Sequence, residues 1–364
     1  MTGGRAVAPL HPLAWLVWLV GAAGVAGALG NPLYQLPLLG VLAAVYLAGH
    51  ADAPWARAFP LFLRLGVIVL VLRTILAGAG GDAAPPVLFR LPQLRLPGGV
   101  AALGGPVSAG ALASGFRNGL TVLLLVAAFG AFNACVSPSR LLRLVPGFLF
   151  EAGLVVTVAL AFVPQTVISL SRTLEAQRLR GHRLRRLRDL GPLLLPLLAG
   201  GLERALTLAE AMEARGYGRH RPGAGQGRGA AMLGLAGLVA AVLGAFALLA
   251  GNAAWSARAL LGTGAVAVAA ASAASSRRSG RTRHRQERWR RVDSAVAAAA
   301  AAALGVVVAA RLAGIGDLGW AGAAQLAVPG FAWLPALGLF GLAAPVAVGA
   351  PRVSPDPVAG GGPR

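Results

Sequence analysis

The chain has 364 residues, 57% of them hydrophobic and only 12% charged, with a mean hydropathy of +0.70. Soluble domains carry roughly 25% charged residues, so this composition excludes an ordinary soluble protein and indicates an integral membrane protein with several spans. The formal net charge is +21 and all 33 basic residues are Arg. A Walker A loop needs Lys at the phosphates, so its absence argues against ATP hydrolysis by this chain. A single cysteine, Cys135, excludes an intrachain disulfide and a multi-Cys metal site.

Residues 1–136 read as four apolar spans, at about 13–29, 33–48, 59–77 and 120–135. Asn31-Pro32 makes a tight turn between the first two. Arg64 and Arg73 sit toward the ends of the third span, where long side chains snorkel. The loop 78–98 is rich in Gly and Pro, carries only Arg90 and Arg95 against Asp82, and reads as non-cytoplasmic. The small, Gly-rich stretch 99–118 fits either a re-entrant or an interfacial piece.

The block 137–228 has 14 Arg against 6 acidic residues, which marks it as cytoplasmic by the positive-inside rule. It nonetheless contains long helical runs. Ser137-Pro138-Ser139 is a helix start. A helix over 148–181 is expected to break or kink at Pro164. Pro192 and Pro196 start another helix that ends at Gly216, with Leu198, Leu202, Leu206, Ala209 and Met212 as its apolar stripe. Four arginines between the helices (Arg183, Arg185, Arg186 and Arg188) suit anionic headgroups.

A further span follows within 229–251. A C-terminal extension, 252–350, holds about three spans at 257–274, 294–310 and 331–348, and a loop at 277–291 with eight Arg and one Glu. Residues 351–364 read as a disordered tail. Starting inside, four crossings and then two more put both Arg-rich blocks on the cytoplasmic side. Positive-inside topology therefore accounts for the basic charge, and nucleic acid does not, because aromatic residues are not interleaved with it. The expected class is an all-α, polytopic helical membrane protein, multi-pass in the plasma membrane, with long cytoplasmic helices.

Catalytic chemistry is poorly represented. The spans nearly lack Asp and Glu, the five His are scattered without an HExxH, and no metal or cofactor motif is present. The polar block instead repeats one phrase. Glu175-Ala176-Gln177-Arg178-Leu179-Arg180-Gly181 recurs 35 residues later as Glu210-Ala211-Met212-Glu213-Ala214-Arg215-Gly216. Each copy would end a helix, with Gly in the left-handed position and Arg complementing the helix dipole. One copy is adequately explained as a cap. Two copies at matched spacing favour a paired docking surface, since an exposed Arg at a helix end can meet carboxylates bidentately.

Ser137-Pro138-Ser139, Arg140-Leu141-Leu142-Arg143, Ala161-Phe162-Val163-Pro164 and the two Arg-Gly phrases resemble the transmembrane T component of energy-coupling factor (ECF) transporters, over about residues 10–250. The resemblance implies a non-enzymatic subunit that assembles with two ABC-type ATPases, a substrate-binding S component and membrane lipids, without a cofactor of its own. It implies that Arg180 and Arg215 dock in the ATPases, with Leu179, Gly181, Ala214 and Gly216 completing the motifs. ATP-driven motion would then pass to the S component for uptake of a vitamin or transition-metal ion. Leu179 departs from the Ala usual in the family, and the last hundred or so residues lie outside the resemblance. A self-contained secondary transporter is the alternative; it would need a polar site at mid-span, which the sequence does not offer.

Overall fold

A computed structural model describes residues 10–49, 58–79, 86–95, 102–142, 144–145, 149–181, 191–217, 226–249, 255–278, 288–320 and 328–348. The chain is an all-α, multi-pass helical membrane protein. Among the described residues, seven helices are long and apolar enough to cross a bilayer. The chain divides into two compact units, Met1–Arg140 with Arg285–Arg364, and Leu141–His284.

The first unit begins with α1 (Pro12–Ala28). Pro12 sits at its start, and His11 caps it by accepting from the Leu13 amide through Nδ1 at 3.2 Å. α2 (Pro32–Gly49) is started by Asn31, whose Oδ1 accepts from the Leu33 amide at 2.9 Å. After α3 (Phe59–Gly78) come two antiparallel strands, β1 (Val87–Arg95) and β2 (Ala102–Ser108). Ser108 then caps α4 (Ala109–Cys135) at the Ala111 amide, 3.1 Å away. Within the stretch 99–118, residues 102–108 form β2 and 109–118 the first turns of the 27-residue α4. The hairpin also occupies part of the expected loop 78–98.

Small residues bring these helices together, as lipid-embedded packing requires. A Cβ on Gly115 would lie 2.5 Å from Ala77 Cβ, and one on Gly119 2.9 Å from Leu70 Cα, so α3 and α4 meet nearly backbone to backbone. The short α5 (Pro138–Leu142) follows, and its Arg140 is buried and donates to Leu10 O at 2.8 Å.

The second unit contains α6 (Phe150–Leu179), α7 (Gly191–Ala214), α8 (Gln226–Leu249) and α9 (Trp255–Arg278). α6 continues through Pro164, where the sequence suggests a break or a kink. Membrane helices tolerate an internal Pro when the freed carbonyl finds other partners, and the residues 152–179 are apolar enough to span. α8 and α9 pack along much of their length. Gly264 lets this happen, because a Cβ there would lie 2.5 Å from the Ala241 amide nitrogen. α6 and α7 touch over a shorter stretch.

The chain then returns to the first unit with α10 (Arg291–Leu312), α11 (Trp333–Leu339), a 3-10 turn (Phe340–Ala343) and α12 (Ala344–Ala347). The span expected over 331–348 is therefore interrupted. Trp18 Nε1 donates to Leu342 O at 2.8 Å in a buried position, satisfying a carbonyl of the interrupted segment. α10 packs on α1, where a Cβ on Gly21 would lie 3.0 Å from Ala300 O. At one end Asp293 caps α10 and accepts from the His11 amide at 2.7 Å. At the other, Asn31 Nδ2 donates to Asp317 O and Gly330 O, both at 2.9 Å, and Tyr34 bonds Ala332. The extension 252–350 is thus divided between the units: α9 pairs with α8, and α10–α12 pack against α1 and α2.

Candidate functional site: two capped helix ends

α6 and α7 carry the repeated phrase at their C-terminal ends, and both ends are built as the sequence leads one to expect. At α7 the Gly216 amide donates to Glu213 O at 2.8 Å and the Tyr217 amide to Met212 O at 2.9 Å. This is a Schellman closure, and it needs a left-handed residue. Gly216 provides it at φ +77°. At α6 the Gly181 amide donates to Arg178 O at 3.0 Å, with Gly181 at φ +79°. The two glycines therefore stop their helices in the same way, and each leaves the preceding Arg, Arg180 or Arg215, on the last residue before the reversal.

All six motif residues are exposed: Leu179, Arg180 and Gly181 on one end, Ala214, Arg215 and Gly216 on the other. The two ends differ at one side chain. Leu179 is a 91% exposed apolar group at a position where the second copy has Ala214.

The contact between the two helices has the same symmetry as the motifs. Arg204 Nη1 on α7 donates to Ser169 Oγ on α6 at 3.1 Å. Ser169 lies eleven residues before Arg180, and Arg204 eleven before Arg215. The hydrogen bond thus joins equivalent positions of the two repeats, 35 residues apart. At 1.5 Å per residue, each motif Arg lies about 16 Å along its own helix from this point. Sequence reasoning missed the pair, although the repeat offset itself is a signal that finds it. Of the apolar stripe expected on α7, Leu198, Leu202 and Leu206 are 68%, 63% and 57% exposed and Ala209 is exposed, whereas Met212 is half-buried. The less exposed face carries Leu193, Leu197, Arg204, Leu208 and Met212. Leucines thus lie on both faces.

Arg178 is exposed. The Arg183–Arg188 cluster, His182 and His220 lie outside the described residues, as does most of the Arg-rich loop 277–291. Among the described residues no group of three or more His, Cys, Asp or Glu could hold a metal ion.

Comparison with sequence families matches residues 5–223 to the CbiQ family, described as cobalt transport protein. The chain belongs to the CbiQ family. The CbiQ match covers α1 to α7 and both Arg-Gly helix ends, and it stops before α8. Among curated proteins the chain is similar to the energy-coupling factor transporter transmembrane proteins EcfT of Leuconostoc gelidum subsp. gasicomitatum (40% identical over 73 residues, 18% of this chain and 27% of the relative) and Streptococcus thermophilus (40% over 73 residues, 18% and 28%). It is also similar to EcfT of Staphylococcus aureus (31% over 93 residues, 24% and 34%). The alignments span about a quarter to a third of the length of these relatives.

Proposed function

We propose that this chain is the transmembrane coupling subunit of an ECF-type importer. It passes the ATP-driven motion of two ABC-type ATPases to a substrate-binding S component, for uptake of a vitamin or a transition-metal ion. The observation that carries the reading is the pair of equivalent, exposed Arg-Gly helix ends on two helices joined at equivalent positions. Family membership and the printed names of the EcfT relatives support it.

In this reading the left-handed glycines matter because they end each helix abruptly. The Arg guanidinium then projects from the tip rather than from a helix flank, and it can enter a groove and meet a carboxylate on two nitrogens. The helices act as rigid levers whose joint, the Ser169–Arg204 contact, lies about 16 Å from each tip. In this reading both tips face the cytoplasm, a placement that the excess of Arg over acidic residues in 137–228 supports. ATP chemistry stays in the partners. The two docks are unequal, because burying Leu179 adds apolar contact that Ala214 does not offer; full burial of a Leu contributes about 2 kcal/mol.

The test is co-purification of ATPases with tagged protein, comparing the wild type with Arg180→Glu plus Arg215→Glu. Hydrogen bonds to charged groups contribute about 1.5–3 kcal/mol each. The double reversal should therefore weaken the complex by roughly a hundredfold or more. ATPases retained at wild-type levels by a folded double variant would sink the docking role.

A further inference from the structure

The β1–β2 hairpin has no part in the coupling role, and its position is unusual. β2 runs into α4 without a linker, since Ser108 both ends the strand and caps the helix. The Gly104 amide donates to Ala79 O at 2.9 Å, just beyond the end of α3, and the Ala109 amide to Pro86 O at 3.1 Å. Val107 and Ser108 are 2% and 0% exposed. β2 is therefore seated on the ends of two membrane-embedded helices, and the hairpin lies where those helices leave the bilayer.

β1 is the outer strand. Val87, Leu88 and Phe89 are 39%, 56% and 54% exposed, and Arg90 beside them is exposed too. Three consecutive exposed apolar residues point to burial against something. On α3, whose end β2 meets, Ile68, Leu72, Ile75 and Leu76 are also exposed. A partner strand is a poor fit to this edge. Pro92 lies inside β1, and the pairing register shifts between Val87 and Phe89 and again between Leu91 and Leu94. Such features blunt an edge against strand addition. Charge decides the rest: β1 contains Arg90 and Arg95 and no acidic residue, and Arg73 is exposed near the end of α3.

We propose that β1 lies in the headgroup region of the bilayer, with Val87–Phe89 immersed at the acyl boundary and Arg90 bound to the phosphates of anionic phospholipids, where Arg95 adds a second positive charge to the strand. The surface is a lipid-docking element at the mouth of α3 and α4.

Spin-label depth measurement tests this on the full-length protein in nanodiscs. A label is placed by Phe89→Cys, and separately by Leu88→Cys, with the buried Cys135 changed to Ala. The nanodiscs contain phosphatidylcholine alone or with phosphatidylglycerol. Labels at both positions should collide with oxygen in preference to a water-soluble nickel complex, and more so with phosphatidylglycerol. Arg90→Glu plus Arg95→Glu should abolish that gain, worth about fivefold in the immersed population for each Arg. A label as open to nickel as one in free water would overturn the proposal. So would a label shielded from both oxygen and nickel, which would mean that protein covers the strand. An oxygen preference unaffected by the Arg reversals would overturn the anionic-phosphate contact.

Discussion

Asn31 joins the family-matched part of the chain to the C-terminal segment that lies beyond it, and replacing it gives a sharp test of that joint. The residue is fully buried, at 0% exposure. Its Oδ1 caps α2 at the Leu33 amide, and its Nδ2 donates to Asp317 O and Gly330 O, all at 2.9 Å. Asn31→Ala removes the cap, at a cost of about 1 kcal/mol, and two long-range hydrogen bonds, at about 1 kcal/mol each; Asp317 O keeps the Trp320 amide at 3.4 Å. The expected loss is about 3 kcal/mol. Asn31→Ser separates the contributions, because its hydroxyl still caps the helix while both long-range donors are gone; about 2 kcal/mol should be lost. Hydrogen bonds in membrane proteins average nearer 0.6 kcal/mol, which lowers the two figures to about 2 and 1 kcal/mol but keeps their order. Unfolding of the purified variants by titration with SDS in mixed micelles reads both. If Asn31→Ser and Asn31→Ala both stay within about 0.5 kcal/mol of the wild type, the size of an unremarkable surface change, Asp317 and Gly330 are not held at the start of α2 and the packing argument fails.

Three further outcomes are expected. Trp18→Phe keeps most of the buried ring but leaves Leu342 O without its donor, so the same titration should show a loss of about 1 kcal/mol. Gly264→Leu places a side chain where a Cβ already meets the Ala241 backbone at 2.5 Å; it should separate α8 from α9, visible as new protease cleavage in that pair, and unchanged digestion would count against their packing. Truncation after residue 251 removes the partners of Trp18, Asn31 and the His11 amide together, so the shortened chain should fail to accumulate in membranes. Normal accumulation with uptake intact would make α9–α12 accessory.

Most of the helical plan is legible in the sequence because length and apolarity alone decide whether a segment can span a bilayer. The two Arg-Gly ends are legible for a different reason. A left-handed C-cap is a local, steric requirement that only a few residue types meet, and here it is written twice. The hairpin is hidden by the opposite circumstance. Val87–Arg95 lacks clean alternation and contains Pro92, and its partner Ala102–Ser108 contains two adjacent glycines. Its pairing depends on where the ends of α3 and α4 hold the chain, which no local pattern encodes.

The return of α10–α12 to α1 is harder still to read, and the cause is the solvent. In water, a hydrophobic stripe marks the face that packs. In lipid every face of a span is apolar, so periodicity does not distinguish a neighbour from the bilayer. What identifies a packed face is the exception to apolarity. Gly21 sits where α10 approaches, Trp18, Asn31 and Tyr34 bond to the C-terminal segment, and Asp293 of that segment accepts from the His11 amide ahead of α1. Each is a polar or minimal residue inside or at the end of a span, where an unpartnered polar group costs several kcal/mol. Such a residue must have a partner, and a partner absent from its own helix has to come from another. Gln35 follows that reasoning through its nitrogen: it is fully buried in α2, and its Nε2 donates to Leu29 O and to Thr121 Oγ1 on α4, tying α1, α2 and α4 together, while its Oε1 has no partner among the described residues. The few polar residues of the spans therefore carry the tertiary information that hydropathy leaves out.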